Sequence, residues 1–180
     1  AYIKASNGEA SDGFGDFVVL NNNTLAVVAP SEDSNQTTIT YGSSASNDNS
    51  QSASGAIYIF DRTGSTWAQT AYIKRAVNDD NDGFGASVIL TENRLIVGGD
   101  AEDSNQKTIT HGASSSSTNN DANYTGAVWV FQLTGTTWAQ EAYIKTSNAD
   151  AGDTIGSRTA FDDKTLILGS YNEDSNQTSI

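Results

Sequence analysis

The chain has 180 residues, 22 acidic against 9 basic side chains, a formal charge of −13 and no cysteine. That balance disfavours nucleic acid and anionic membrane surfaces, which need positive charge, and suits plain solubility or divalent cations. Disulfides and thiolate metal sites are excluded, and no apolar run is long enough to span a bilayer.

The opening words, Ala1-Tyr2-Ile3-Lys4, return as Ala71-Tyr72-Ile73-Lys74 and Ala142-Tyr143-Ile144-Lys145, at steps of 71 − 1 = 70 and 142 − 71 = 71. A fixed period of this length signals one supersecondary unit, stacked so that neighbours bury what each cannot bury alone. Residues 14–20, matched by 84–90, read as a first strand. Asn21-Asn22-Asn23 then reads as a tight turn, because Asn tolerates positive φ and bonds its own backbone. The second strand, 25–29, is answered by 95–99 and 166–169, and its nearly continuous apolar character predicts burial on both faces.

Long polar loops follow at 37–54 and 107–125. They open on Thr38-Ile39-Thr40-Tyr41 and Thr108-Ile109-Thr110-His111, an alternation that hints at a short extra ribbon. Loops of this length are usually functional or disordered, so their tips are the first place to look for contacts. Residues 56–60 and 127–131 form strand three. Residues 67–74 and 138–145 form strand four, expected to lie outermost with one wet face. Lys4, Lys74 and Lys145 end that strand, where charge discourages edge pairing. No 3.6-residue periodicity runs long enough for a helix.

Four antiparallel strands joined by short turns make a meander, and a meander repeated along the chain predicts an all-β protein built of β-propeller blades. Residues 1–4 then end the outer strand of a preceding blade, 5–74 form blade one, 75–145 blade two, and 146–180 the first half of blade three. The chain is expected to be a segment of a longer propeller. A blade alone buries too little to offset its ordering entropy. Further blades of the same chain, or copies of itself, are therefore the expected partners, in a closed ring or an open stack.

Gly13-Phe14-Gly15 opening strand one, Val27-Val28-Ala29-Pro30 closing strand two and Gly55-Ala56-Ile57-Tyr58-Ile59-Phe60 in strand three give the unit its family likeness. It resembles the FG-GAP repeat of integrin α-subunit propellers and many bacterial surface proteins. The resemblance spans the whole chain. It implies a closed propeller, typically seven-bladed, with calcium held in loops by acidic and Asn side chains. The Gly-Ala-Pro of the name is altered here, to Gly98-Gly99-Asp100 in the second unit and Gly169-Ser170-Tyr171 in the third. The third unit also carries Thr154-Ile155-Gly156 in place of Gly-Phe-Gly.

The loop between strands four and one is the calcium candidate: Asn7, Glu9 and Asp12 in the first unit, Asn78, Asp79, Asp80 and Asp82 in the second, Asn148, Asp150 and Asp153 in the third. Calcium wants six to eight oxygens, and alternating Asp and Asn with Gly lets a short loop wrap it. The competing reading is that the last Asp closes a turn on backbone N–H groups. A second set, Glu32-Asp33, Glu102-Asp103 and Glu173-Asp174, could complete that cation site, but a hydrogen-bonding role in the loop's own backbone is favoured. His111, the only histidine, stands where the first unit has Tyr41 and reads as an aromatic filler. Trp67, Trp129 and Trp138 read as packing rather than sugar platforms.

No nucleophile–base set recurs, so the expectation is a non-enzymatic, calcium-stabilised, integrin-like propeller segment of a secreted or surface protein, acting in adhesion or structural assembly. A surface protein or a glycan would be its ligand. A carbohydrate-binding module, or a propeller accessory to a larger enzyme, is the alternative.

Overall fold

The computed structural model describes residues 1–113 and 117–176. They form an all-β chain in three antiparallel sheets, none of them closed, and among these residues no helix is long and apolar enough to cross a membrane.

The first sheet holds β1 (Val18–Asn21), β2 (Thr24–Ala29), β3 (Thr40–Tyr41), β4 (Ala56–Thr63) and β5 (Thr66–Ile73), in the spatial order β1-β2-β4-β5-β3. The second repeats it with β6 (Phe84–Leu90), β7 (Arg94–Gly99), β8 (Ile109–His111), β9 (Ala127–Thr134) and β10 (Thr137–Ile144), ordered β6-β7-β9-β10-β8. The third contains β11 (Arg158–Phe161) paired with β12 (Leu166–Gly169).

Registers agree between the two full units. Val27 faces Tyr58, which faces Tyr72; Val97 faces Trp129, which faces Tyr143. Both outer hairpins carry an irregularity at the same place, between Ile59 and Phe60 and between Gln140 and Ala142.

Strand two is buried as its composition predicts: Ala26, Val27, Val28 and Ala29 are all closed to solvent. Its even and odd positions serve different neighbours. Ala26 and Val28, with Ile57, Ile59, Ala71 and Ile73, pack onto Phe84, Leu95, Val97, Trp129 and Phe131 of the next sheet. Val27 and Ala29, with Tyr58, Phe60 and Tyr72, are covered by Ile3, Ala5 and Phe14. On the far side of the second sheet, Ile96, Val128 and Val130 meet Phe161, Leu166 and Leu168 of the third. The sheets thus stack face to face, and the burial of strand-two and strand-three side chains stabilises the joint by about 2 kcal/mol for each large residue.

Close approach between sheets falls on glycine. Gly55 and Gly126 precede β4 and β9 at φ of 75° and 76°, where a side chain would be strained. A Cβ on Gly55 would sit 2.5 Å from the Phe84 carbonyl oxygen, and one on Gly126 would strike the Ile155 backbone, with which it forms a bridge. Ile155, the residue replacing the Phe of the third unit, is buried there.

Three sequence expectations change. Strand one of the first unit begins only at Val18, with 14–17 in turns and bends, whereas its counterpart runs the full 84–90. Pro30 follows β2 and has no N–H to carry the ladder further, where the second unit has Asp100. The first two sheets have five strands, not four: β3 and β8, the ribbon at the start of each long loop, pair with β5 and β10 through Thr40–Tyr72 and Thr110–Tyr143. Strand four is therefore interior over its second half. Lys74 and Lys145, expected as charged ends of an exposed strand, are buried at 1% and 2% exposure, while Lys4 lies exposed.

Candidate functional site

A buried ammonium must have acceptors, because leaving a charge unpaired in the interior costs several kcal/mol. Lys74 Nζ donates to Glu32 Oε2 at 2.9 Å, Ser54 Oγ at 2.6 Å and the Gly55 carbonyl at 2.8 Å. Lys145 Nζ donates to Glu102 Oε2 at 2.7 Å and to Thr125 Oγ1. Each pair joins the last residue of the Ala-Tyr-Ile-Lys word to the first of the Glu-Asp-Ser-Asn-Gln word, across a sheet. Burial pulls Lys74 down to about 8, against the opposing pull of Glu32, and lowers Lys145 in the same way.

The rest of the acidic word folds the long loop. Asp33 Oδ1 accepts the Ala53 N–H and Asp103 Oδ1 the Tyr124 N–H, both at 2.7 Å, so each clamps the loop's far end. Ser34 and Ser104 accept the N–H of Gln36 and Gln106 at 3.0 Å. Asp33 and Asp103 thus bond the loop's own backbone, as does Glu32 through the Ser34 N–H at 3.2 Å, whereas Glu102 is held by the Tyr143 hydroxyl and Lys145; the lysines supply the neutralisation that paired carboxylates need. In the third unit Glu173 accepts the Ser175 N–H at 3.1 Å. Asp174 is exposed, and Gln177, the last letter of the third word, lies outside the described residues.

The loops before strand one follow two plans. In the first unit Asn7 is buried: its Nδ2 donates to Glu32 Oε1 at 3.2 Å and to the Ser46 carbonyl, and its Oδ1 accepts the Tyr58 hydroxyl at 2.7 Å. Asp12 Oδ2 accepts the Glu9 N–H at 2.9 Å, and Glu9 Oε2 accepts Asn49 Nδ2 at 2.8 Å. The third unit repeats this, with Asn148 donating to Glu173 at 3.1 Å and Asp153 accepting the Asp150 N–H at 2.8 Å. Asp150 also meets Lys107 at 3.0 Å, in an exposed pair of small energetic weight. Asp12 and Asp153 are both buried, and the ion pairs among the described residues do not reach them. Burial pushes Asp12 above the usual carboxylate range; Glu32, Glu9 and Asp33 add to the rise while the Glu9 N–H opposes it.

The second unit instead places a guanidinium in the loop. Arg75 is fully buried and pairs with Asp82; its Nε donates to Asn78 Oδ1 and a terminal nitrogen to the Asp79 carbonyl, each at 3.1 Å. Its charged carbon lies 5.3 Å from the Trp129 ring and 5.9 Å from Phe84, within cation–π range. Burial raises Asp82 to about 6 even beside Arg75, which pulls it down, and burial lowers Arg75 in turn. Three of the four residues expected to hold calcium here, Asn78, Asp79 and Asp82, thus converge on an internal cation; Asp80 points elsewhere, accepting Gln51 Nε2 at 2.8 Å. In this structure these residues engage the Arg75 guanidinium. Among the described residues no three Asp, Glu, His or Cys side chains are grouped to share a metal.

Trp129 and Trp138 are buried, and Trp67 is half-buried under the Arg62 guanidinium, which lies 5.8 Å from its ring. His111 is exposed on β8 rather than filling a gap. The lysine pins and Arg75 are what sequence reasoning missed. Their signal was present, since Glu and Lys recur in step and the second unit alone has Arg after its Lys.

No family model, no curated protein and no solved structure matches the chain.

Proposed function

We propose that the chain is a stretch of an FG-GAP-like β-propeller, acting as a non-catalytic scaffold in adhesion or structural assembly on a secreted or surface-displayed protein. The observation that carries this reading is the repetition of one sheet plan with one internal Lys–Glu pin, while the rim loops differ from unit to unit. Conserving the interior while varying the rim suits a scaffold that presents different contacts from equivalent positions. The charge of −13 and the Asn/Ser/Thr-rich rim suit an extracellular setting. On this reading the sheets are blades, and their open faces accept further blades of the same chain or copies of it.

Calcium belongs to this proposal at the first and third loops, through Glu9 with Asp12 and Asp150 with Asp153. What supports it is a buried aspartate in each loop, Asp12 or Asp153, that no ion pair among the described residues reaches; in the third loop Lys107 meets the exposed Asp150 instead. A divalent cation would supply there the charge that Arg75 supplies in the second loop. The test is thermal melting of the 180-residue chain in calcium and in chelator. Binding to the native state raises Tm by mass action, stabilising by about 2.7 kcal/mol at a hundredfold excess over Kd. Identical melts at millimolar calcium would remove the metal from the reading and leave a scaffold held by its own side chains.

A further inference from the structure

Between the outer part of the first sheet and the β9–β10 hairpin of the second lies an open cleft of about 520 Å³, within the size range of small-ligand pockets. One wall is apolar, formed by the exposed Tyr41 ring and Leu133 over the buried Trp138. The Tyr41 hydroxyl donates to the Trp138 carbonyl at 2.9 Å, which ties β3 of one sheet to β10 of the next and fixes the cleft's width. The other wall carries Asp61 between two threonines: Thr24 Oγ1 donates to Oδ1 at 2.7 Å and Thr70 Oγ1 to Oδ2 at 2.8 Å.

This polar wall is not demanded by the fold. At the equivalent positions of the second unit stand Arg94, Gln132 and Glu141, and there Arg94 meets Glu141 through two contacts, Nε at 3.3 Å and a terminal nitrogen at 3.4 Å. The same spot is closed by an ion pair in one unit and left as carboxylate and hydroxyls in the other. The chemistry left open is specific. Both Asp61 oxygens already accept hydroxyl protons, which spreads the charge, and each carboxylate oxygen and each threonine oxygen retains acceptor capacity. A ligand rich in hydroxyl groups, each both donor and acceptor, matches that wall. Its C–H face matches the exposed ring of Tyr41.

We propose that this cleft binds a neutral pyranose sugar. The inference goes beyond the scaffold reading and does not depend on calcium.

The test is NMR titration of the ¹⁵N-labelled 180-residue chain with glucose, galactose, mannose and N-acetylglucosamine. At least one sugar should give saturable shifts at the amides of Gly42, Thr70 and Thr137, with Kd of roughly 1 mM, the range of a small, solvent-open site. Asp61→Ala should weaken binding at least about tenfold, since a charge-assisted bond is lost. Should that variant unfold, Thr24→Arg combined with Thr70→Glu transplants the ion pair that the second unit already accommodates. It should keep the spectrum of a folded chain and abolish the shifts. The proposal is overturned if none of the four sugars gives saturable shifts, if the shifts survive the transplant, or if n-butylamine, a mimic of a lysine side chain, binds there in their place.

Discussion

The loops before strand one of the first and second units solve the same problem with different residues. Each must bury an aspartate, Asp12 or Asp82, against an aromatic strand. The first unit does it with Ala5, Asn7 and Tyr58: the carboxylate closes a backbone turn, and Asn7 bridges the Tyr58 hydroxyl to Glu32. The second has Arg75, Val77 and Trp129 at those places, and the guanidinium takes the aspartate while lying against the indole. Three positions change together, so the exchange is a unit of design rather than three substitutions. With Asn replaced by Val77, the Glu102 oxygen equivalent to the one Asn7 uses is satisfied by the Tyr143 hydroxyl at 2.7 Å. The lysine pin beneath is the same in both. What varies is the neutralisation of the loop; what persists is the ion pair that fastens loop to sheet.

The comparison is broken most severely at the persistent element. Lys145→Met leaves Glu102 buried without its ammonium, and loss of one partner of a buried pair costs about 3–5 kcal/mol. Urea unfolding should show a fall of that size, and a change under about 1 kcal/mol would mean the pair adds nothing that solvent cannot replace.

A smaller loss, about 2–3 kcal/mol, is expected for Arg75→Ala, which gives the second loop the residue found in the first and leaves Asp82 buried near Glu102 and Asp79 without its cation. In this variant calcium should recover part of the lost stability, measured as a larger calcium-dependent rise in Tm than in the parent chain. An unchanged calcium response would show that the donors around Arg75 do not serve a metal.

The smallest effect is in pH. Lys74 sits near 8 in the folded chain and at an ordinary lysine value, about 10.4, when unfolded. Between these values the unfolded chain holds more protons, so this group makes stability rise with pH through that window and leaves its cost fully present below 8. Denaturant midpoints at pH 7.5 and pH 9.5, compared between the parent and Lys74→Met, should show the extra upward slope in the parent alone.

Much of the architecture was legible because strands two and three are apolar on both faces, and no helix period competes with them. The edge strand of each of the first two sheets, β3 or β8, was visible only as an alternation of four residues, too short to assign. The depth of Lys74 and Lys145 was not legible from strand pattern, since the ribbon that covers them comes from a loop rich in Ser and Asn. Their partnership was encoded elsewhere, in the equal recurrence of two words separated by the long loop. The loop aspartates show the limit of composition. Asp, Asn and Gly in alternation describe a calcium loop, a backbone-closing turn and an arginine socket equally well, and only the residues at the positions of Ala5 and Tyr58 tell the last two apart.

The account rests on the acidic words being anchors for buried lysines. A double-mutant cycle of Lys74→Met and Glu32→Gln, read by denaturant unfolding, tests this most directly. It should return a coupling of about 2–3 kcal/mol, with the double variant losing less than the sum of the single ones. Additive losses would show that the two side chains do not hold each other, and the shared plan of the units would need another cause.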